Sequence, residues 1–171
     1  MKWFVVCVTL LATSHASANE QHTVSDLTFM APEGVEITRH TLGNDVESIA
    51  VTQGEQGLVL VLYRGDKTPS EKRVLRVHLE ELEVRLMKTC VEGSLRVSKE
   101  PMSILGRRKN GRRLLYSVPY AESERKYLSK LAARRVKGLT IVVLWSSPVL
   151  EDEAYFAPVL LKSLKQSGKR R

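Results

Sequence analysis

Five cationic side chains, Arg107, Arg108, Lys109, Arg112 and Arg113, fall within seven residues of one another around a single Asn110-Gly111. Such a cluster can hold anions, because guanidinium and ammonium groups donate charge-assisted hydrogen bonds to carboxylate or phosphate oxygens. Asn-Gly is also a strong hairpin signal, since both residues tolerate the positive φ of a two-residue type I′ turn. On that reading Lys109 stands opposite Arg112, Arg108 opposite Arg113, and Arg107 opposite Leu114. Alternation then puts Arg107, Lys109 and Arg112 on one face and Arg108 and Arg113 on the other. Like charges directly opposite each other cost about 0.2–1 kcal/mol per pair, so folding alone does not favour the arrangement. The expectation is a two-faced basic hairpin tip. Either it is solvated and relieved by acids such as Glu100, Glu122 or Glu124, or it contacts an acidic protein or an anionic envelope component. The tip lacks the interleaved aromatics with which single-stranded nucleic acids are read, so nucleic acid is not the expected partner.

Other chemistry is sparse. Beyond the first eighteen residues the histidines are His22, His40 and His78, and Cys90 is the only cysteine. No pair among them has the spacing of a zinc site. His78 has Glu81 three residues on, which reads as a surface contact on a helix. Neither G-x-x-x-x-G-K-[ST], G-x-G-x-x-G nor G-x-S-x-G occurs. Glu80, Glu81 and Glu83 read as a solvated helix face, and Glu151, Asp152 and Glu153 as complements to a helix N-terminus. No catalytic residue, cofactor or metal is assigned. The expected function is that of a non-enzymatic binding or accessory protein. The alternatives are a secreted interaction factor, a toxin-neutralising protein, or an enzyme whose site is assembled from distant residues.

The ends say where the chain is expected to go. MKWFVVCVTLLATSHASA reads as a signal peptide over 1–18, with Lys2, an apolar run, and Ala16-Ser17-Ala18 as the cleavage site. Cys7 lies inside that run, which argues against a lipoprotein site. The protein is therefore expected to be exported, periplasmic or secreted, after cleavage near Ala18. The whole chain of 171 residues carries a formal charge of +8, which becomes +7 once Lys2 is removed. A basic exported protein favours anionic partners. Cys90 alone cannot form an intrachain disulfide, and it reads as a small core residue.

Residues 19–25 are expected to be a flexible start, 26–165 a single domain, and 166–171 a basic tail. Short β-segments are predicted at 26–32, 35–42, 46–53 and 58–64, the last apolar enough to be a central strand covered on both faces. A helix is predicted over 69–90, with Thr68 as N-cap, Pro69 at the first position and Glu71 completing a capping box. Its apolar stripe is Leu75, Leu79, Leu82, Leu86 and Cys90, widened by Val77 and Val84. Strands follow at 95–100 and on both sides of Asn110-Gly111. Residues 121–136 suit a helix by propensity, yet their run into Lys137-Gly138 and "LTIVVLWSS" favours a long strand paired with 139–147. A last helix carries Phe156, Val159, Leu160 and Leu164, with Pro158 near its start. The fold class is α+β: a central antiparallel sheet packed with one long amphipathic helix and a C-terminal helix.

This order, with "APEGVEI" near the start, "GRRKNGRRLLYSV" in the middle and "YFAPVLLKSLK" at the end, resembles the PsbP/Mog1-like superfamily, including exported bacterial domains of the DcrB and LpqN types. Val35 stands where that family usually has an aromatic. The resemblance implies an antiparallel sheet with packed helices and roles in binding or assembly; it carries over no site residues.

Overall fold

The computed structural model describes residues 19–65, 68–136, 138–149 and 155–167. The leader at 1–18, the acids at 151–153 and the tail from 168 onward lie outside the described residues. The chain runs β1 (Asn19–Val24), β2 (Leu27–Pro32), β3 (Glu36–Gly43), β4 (Val46–Gln53), β5 (Gln56–Arg64), α1 (Glu71–Thr89), β6 (Arg96–Ile104), β7 (Arg107–Tyr120), β8 (Ser123–Val136), β9 (Leu139–Pro148), α2 (Phe156–Ser163) and β10 (Lys165–Gln166). Seven strands form one antiparallel sheet in the order β3-β4-β5-β9-β8-β7-β6, and β1-β2-β10 form a second, smaller one.

The α+β class holds, but with two sheets instead of one. The residues expected to be a flexible start instead pair with β2, Val24 facing Leu27 across a two-residue turn. Lys165 and Gln166 join the other edge of β2. The Ser167 N–H donates to the Asp26 carbonyl at 2.6 Å, so the chain at 166–167 is held to β2 and is not part of a free tail. Backbone groups beside an uncovered strand edge pair wherever a partner can reach them, and this pairing outweighs the polar composition of both segments.

The small sheet and α2 cover one face of the large sheet. Leu27, Phe29, Leu58, Leu60, Leu62, Ile104, Ile141, Trp145, Phe156 and Leu160 form the core between them. Helix α1 covers the other face. Val74 packs there with Leu131, Ala133 and Val142, and Leu86 with Leu114 and Tyr116. Strand β5 is central as expected, its Leu side chains facing α2 and its Val61 facing α1. The ambiguous stretch before Gly138 is the long strand β8, paired with β9 from Tyr127–Pro148 to Val136–Leu139.

Helix α1 starts later than expected. Ser70 is the N-cap, its Oγ accepting the Arg73 N–H at 3.3 Å, and Glu71 is the first helical residue. Val77 and Val84 do not widen the stripe; they face solvent, and Val74 takes the core position. In α2, Val159 likewise faces solvent. Cys90 caps α1 and packs against the Leu86 cluster, consistent with a packing role.

One buried charge knot joins the sheets. Glu47, 3% exposed, accepts from Ser25 Oγ at 2.7 and 2.8 Å and from Arg64 Nη1 at 2.7 Å, and also pairs with Arg39. Arg64 Nε reaches Asp26 at 3.2 Å.

Candidate functional site

The basic run does not turn at Asn110-Gly111. The turn is at Leu105-Gly106, with φ values of 48° and 72°, and Ile104 faces Arg107 across it. A left-handed leucine is costly, of order 1–2 kcal/mol. Compensation comes from packing and from Arg134: its Nη1 donates to the Ile104 carbonyl at 2.5 Å and also to that of Leu105. Turning there also buries Ile104 and lets Met102 and Leu105 pack on the core, whereas a turn at Asn110-Gly111 would break the strand they pair with. Core burial therefore overrides the turn signal.

Asn110 and Gly111 lie inside β7, facing Pro101 and Glu100 of β6. The ladder between β7 and β8 begins at Gly111–Ala132, so residues 107–110 are paired to β6 alone. Gly111 is where three backbones converge: a Cβ there would stand 2.7 Å from the Glu100 carbonyl oxygen and 2.9 Å from that of Leu131. The true cross-strand partners on the β6 side are Ser103–Arg108, Met102–Lys109, Lys99–Arg112 and Ser98–Arg113.

The result is a concavity. Beside the first turns of α1 a cleft of about 900 Å³ is lined by Lys72, Lys99, Arg108, Lys109 and Arg112, with Leu75, Pro101, Gly111 and Ala133 below. A second hollow of about 410 Å³ shares Lys72, Leu75 and Arg112 and adds Arg73, Arg76 and Leu79. Among the described residues, seven cations thus line the two hollows against two carboxylates, Glu71 and Glu100, a formal excess of five.

Both carboxylates are already engaged. Glu71 accepts from Lys109 Nζ at 2.9 Å and from the Arg135 N–H at 2.6 Å. Burial pushes its carboxyl up, but the Arg135 N–H and the Lys109 ammonium outweigh this and hold it below the usual carboxylate range. Glu100 binds Lys130 at 2.5 Å and Arg113 at 3.6 Å on the opposite face of the sheet. Among the described residues no carboxylate forms a salt bridge with Lys72, Arg73, Lys99, Arg108 or Arg112.

Of the five residues singled out by sequence, the structure gathers Arg108, Lys109 and Arg112 in this cleft. Arg113 lies on the far face with Glu100, the relief expected of that acid. Arg107 is exposed at the turn; desolvation first, and then the Arg107 charge, lower the Arg134 pKa. Lys72, Arg73, Arg76 and Lys99 were missed. The first three share one stretch of α1, a cationic spacing that the sequence displayed; Lys99 reaches the site only through β-pairing.

His78 makes the expected contact with Glu81, 3.7 Å from Nδ1, and its Nε2 also lies 2.8 Å from the Tyr63 hydroxyl. Burial lowers the His78 pKa against the opposing pull of Glu81, and burial raises that of Tyr63. Among the described residues no three His, Cys, Asp or Glu side chains gather as a metal site, and no helix is long and apolar enough to cross a membrane.

No family model matches the chain, and no curated protein matches it by sequence. Solved structures to which it is similar include LpqN of Mycobacterium tuberculosis, described as involved in cell envelope biogenesis (15% identity, 90% of this chain and 88% of that one, TM-score 0.47). A point mutant of the protein Mog1 is similar at 9% identity over 89% of this chain and 97% of that one, TM-score 0.49. The Ran-binding protein Mog1p of Saccharomyces cerevisiae is similar at 11% identity over 80% of each chain, TM-score 0.45.

Proposed function

We propose that this chain is an exported, non-enzymatic binding or accessory protein of the cell envelope, whose basic cleft between α1 and the start of β7 receives an acidic partner. The site is concave, in place of the convex hairpin tip expected from sequence. The observation that carries the reading is the excess of cations around the two hollows, whose carboxylates are both already paired within the fold. Charges lining a concave surface with low-dielectric walls focus the field and draw an oppositely charged partner.

The test uses the chain from Asn19 and soluble polyglutamate as the acidic probe, followed by calorimetry at low and high salt. Binding should weaken steeply as salt rises and be lost in Lys72→Glu with Arg108→Glu. Binding that ignores salt, or survives both reversals, overturns the cleft as the site. N-terminal sequencing of the exported protein should begin near Asn19; retention of Lys2 overturns the export reading.

A further inference from the structure

β7 takes part in two like-charged cross-strand pairs, one with β8 and one with β6, and they are treated differently. On the α2 side Arg113 stands opposite Lys130, and Glu100 binds both. On the α1 side Lys99 stands opposite Arg112, and among the described residues no carboxylate bridges them. The Arg112 Nη1 instead donates to the carbonyl of its own neighbour Gly111 at 3.1 Å. Lys99 is exposed. Directly opposed like charges are destabilising in a sheet. Among the described residues a bridging anion stands on one face and none on the other.

We infer that Lys99 and Arg112 form the anchoring subsite of the cleft, and that its occupant is an aspartate or glutamate side chain on an acidic protein segment that also carries an apolar residue. This rests on the cleft reading above and adds the residue pair and the ligand class. The carboxylate does for Lys99 and Arg112 what Glu100 does for Arg113 and Lys130 on the other face. A guanidinium offers a planar pair of donors to it, and Lys99 a point charge from the neighbouring strand. Leu75 and Leu79 line the adjoining hollow, beside Arg112 and Arg76, and are only partly buried by the fold. An apolar side chain next to the acid covers them. A flat anionic membrane fits less well, because the pair lies inside a concavity walled by α1.

Three probes separate the outcomes: a short peptide alternating glutamate with leucine, the same peptide with serine for leucine, and phosphatidylglycerol vesicles. Lys99→Gln with Arg112→Gln should weaken the Glu-Leu peptide about tenfold or more, as expected when two charge-assisted hydrogen bonds are removed. Arg85→Gln with Lys126→Gln, an equal reduction in charge outside the cleft, should leave it nearly unchanged, and the serine peptide should bind more weakly than the leucine one. Equal weakening in both double variants overturns the pair, as does weakening only on Lys72 and Arg108 substitution; in the latter case the cleft reading survives. Vesicle binding without peptide binding overturns the occupant in favour of a lipid headgroup. No binding of any probe overturns the cleft reading itself. A second measurement needs no ligand: Lys99→Gln should raise Tm by about 1–3 °C by relieving repulsion, while Lys130→Gln lowers it by leaving Glu100 with fewer partners. A fall in Tm on Lys99→Gln refutes the like-charge argument.

Discussion

Replacing Gly111 by alanine probes the packing that shapes the cleft. The added methyl would stand 2.7 Å from the Glu100 oxygen, 2.9 Å from the Leu131 oxygen and 3.2 Å from Ala132 Cβ. The first two neighbours are backbone atoms on opposite sides, so no rotamer change makes room; β6 or β8 must move away. Overpacking costs about 1–3 kcal/mol where side chains can share the strain, and two opposed backbone contacts put this case at the upper end, about 3 kcal/mol. At about 2–4 °C per kcal/mol for a chain of this size, Tm should fall by about 6–12 °C. Gly43→Ala is the control: nothing lies within 4 Å of a Cβ there and its φ is not left-handed. Its Tm should stay level or rise slightly, as expected when unfolded-chain entropy falls. Thermal melts followed by circular dichroism read both. A Gly111→Ala protein as stable as the parent would refute the convergence of β6, β7 and β8 at this residue, and with it the register that puts Lys99 opposite Arg112.

Two further outcomes follow from buried polar groups. Glu47→Ala should cost about 3 kcal/mol, the lower end for breaking a buried ion pair because Arg64 keeps Asp26, and urea titration should show a lower midpoint with an unchanged slope; an unchanged midpoint refutes the knot. His78 has a lowered folded pKa, so its unfolded form takes up the proton first: its contribution is intact above the ordinary value of 6.5 and declines as pH falls below it. A Tm profile between pH 8 and pH 5 should therefore be flatter in His78→Gln, with the carboxyl of Glu71, itself lowered, entering only further down; parallel profiles refute the assignment.

How far the sequence could be read depended on whether a signal was local. Strands β4 and β5 alternate or run apolar under their own residues, and their limits were legible within a residue or two. The stretch before Gly138 was legible because the Lys137-Gly138 connection and the β-rich partner outweighed its helical propensity. The small sheet was not, since its outer strands take their order from the edges of β2 and not from their composition. Asn110-Gly111 misled because the same glycine serves two needs. A left-handed turn wants it for φ, whereas here it is wanted for the absence of a Cβ, which only the neighbouring strands reveal.

That misreading is also why the candidate site was found in part. The charges were legible, but their faces follow from register, and a turn displaced from 110–111 to 105–106 changes every partner. Arg112 and Arg113 are adjacent in sequence and point to opposite faces, so one anion cannot serve both. Glu100, facing Gly111, serves Arg113 and Lys130 on one side and leaves Lys99 and Arg112 to each other on the other. A repulsion of at most about 1 kcal/mol is small beside the 5–15 kcal/mol by which domains are stable, so the free fold tolerates it. If an acid bound between them, the same two charges would add their attraction to it and lose their mutual repulsion together. Such a carboxylate would be favoured twice, and the pair should then be worth more to binding than its modest cost to the free protein.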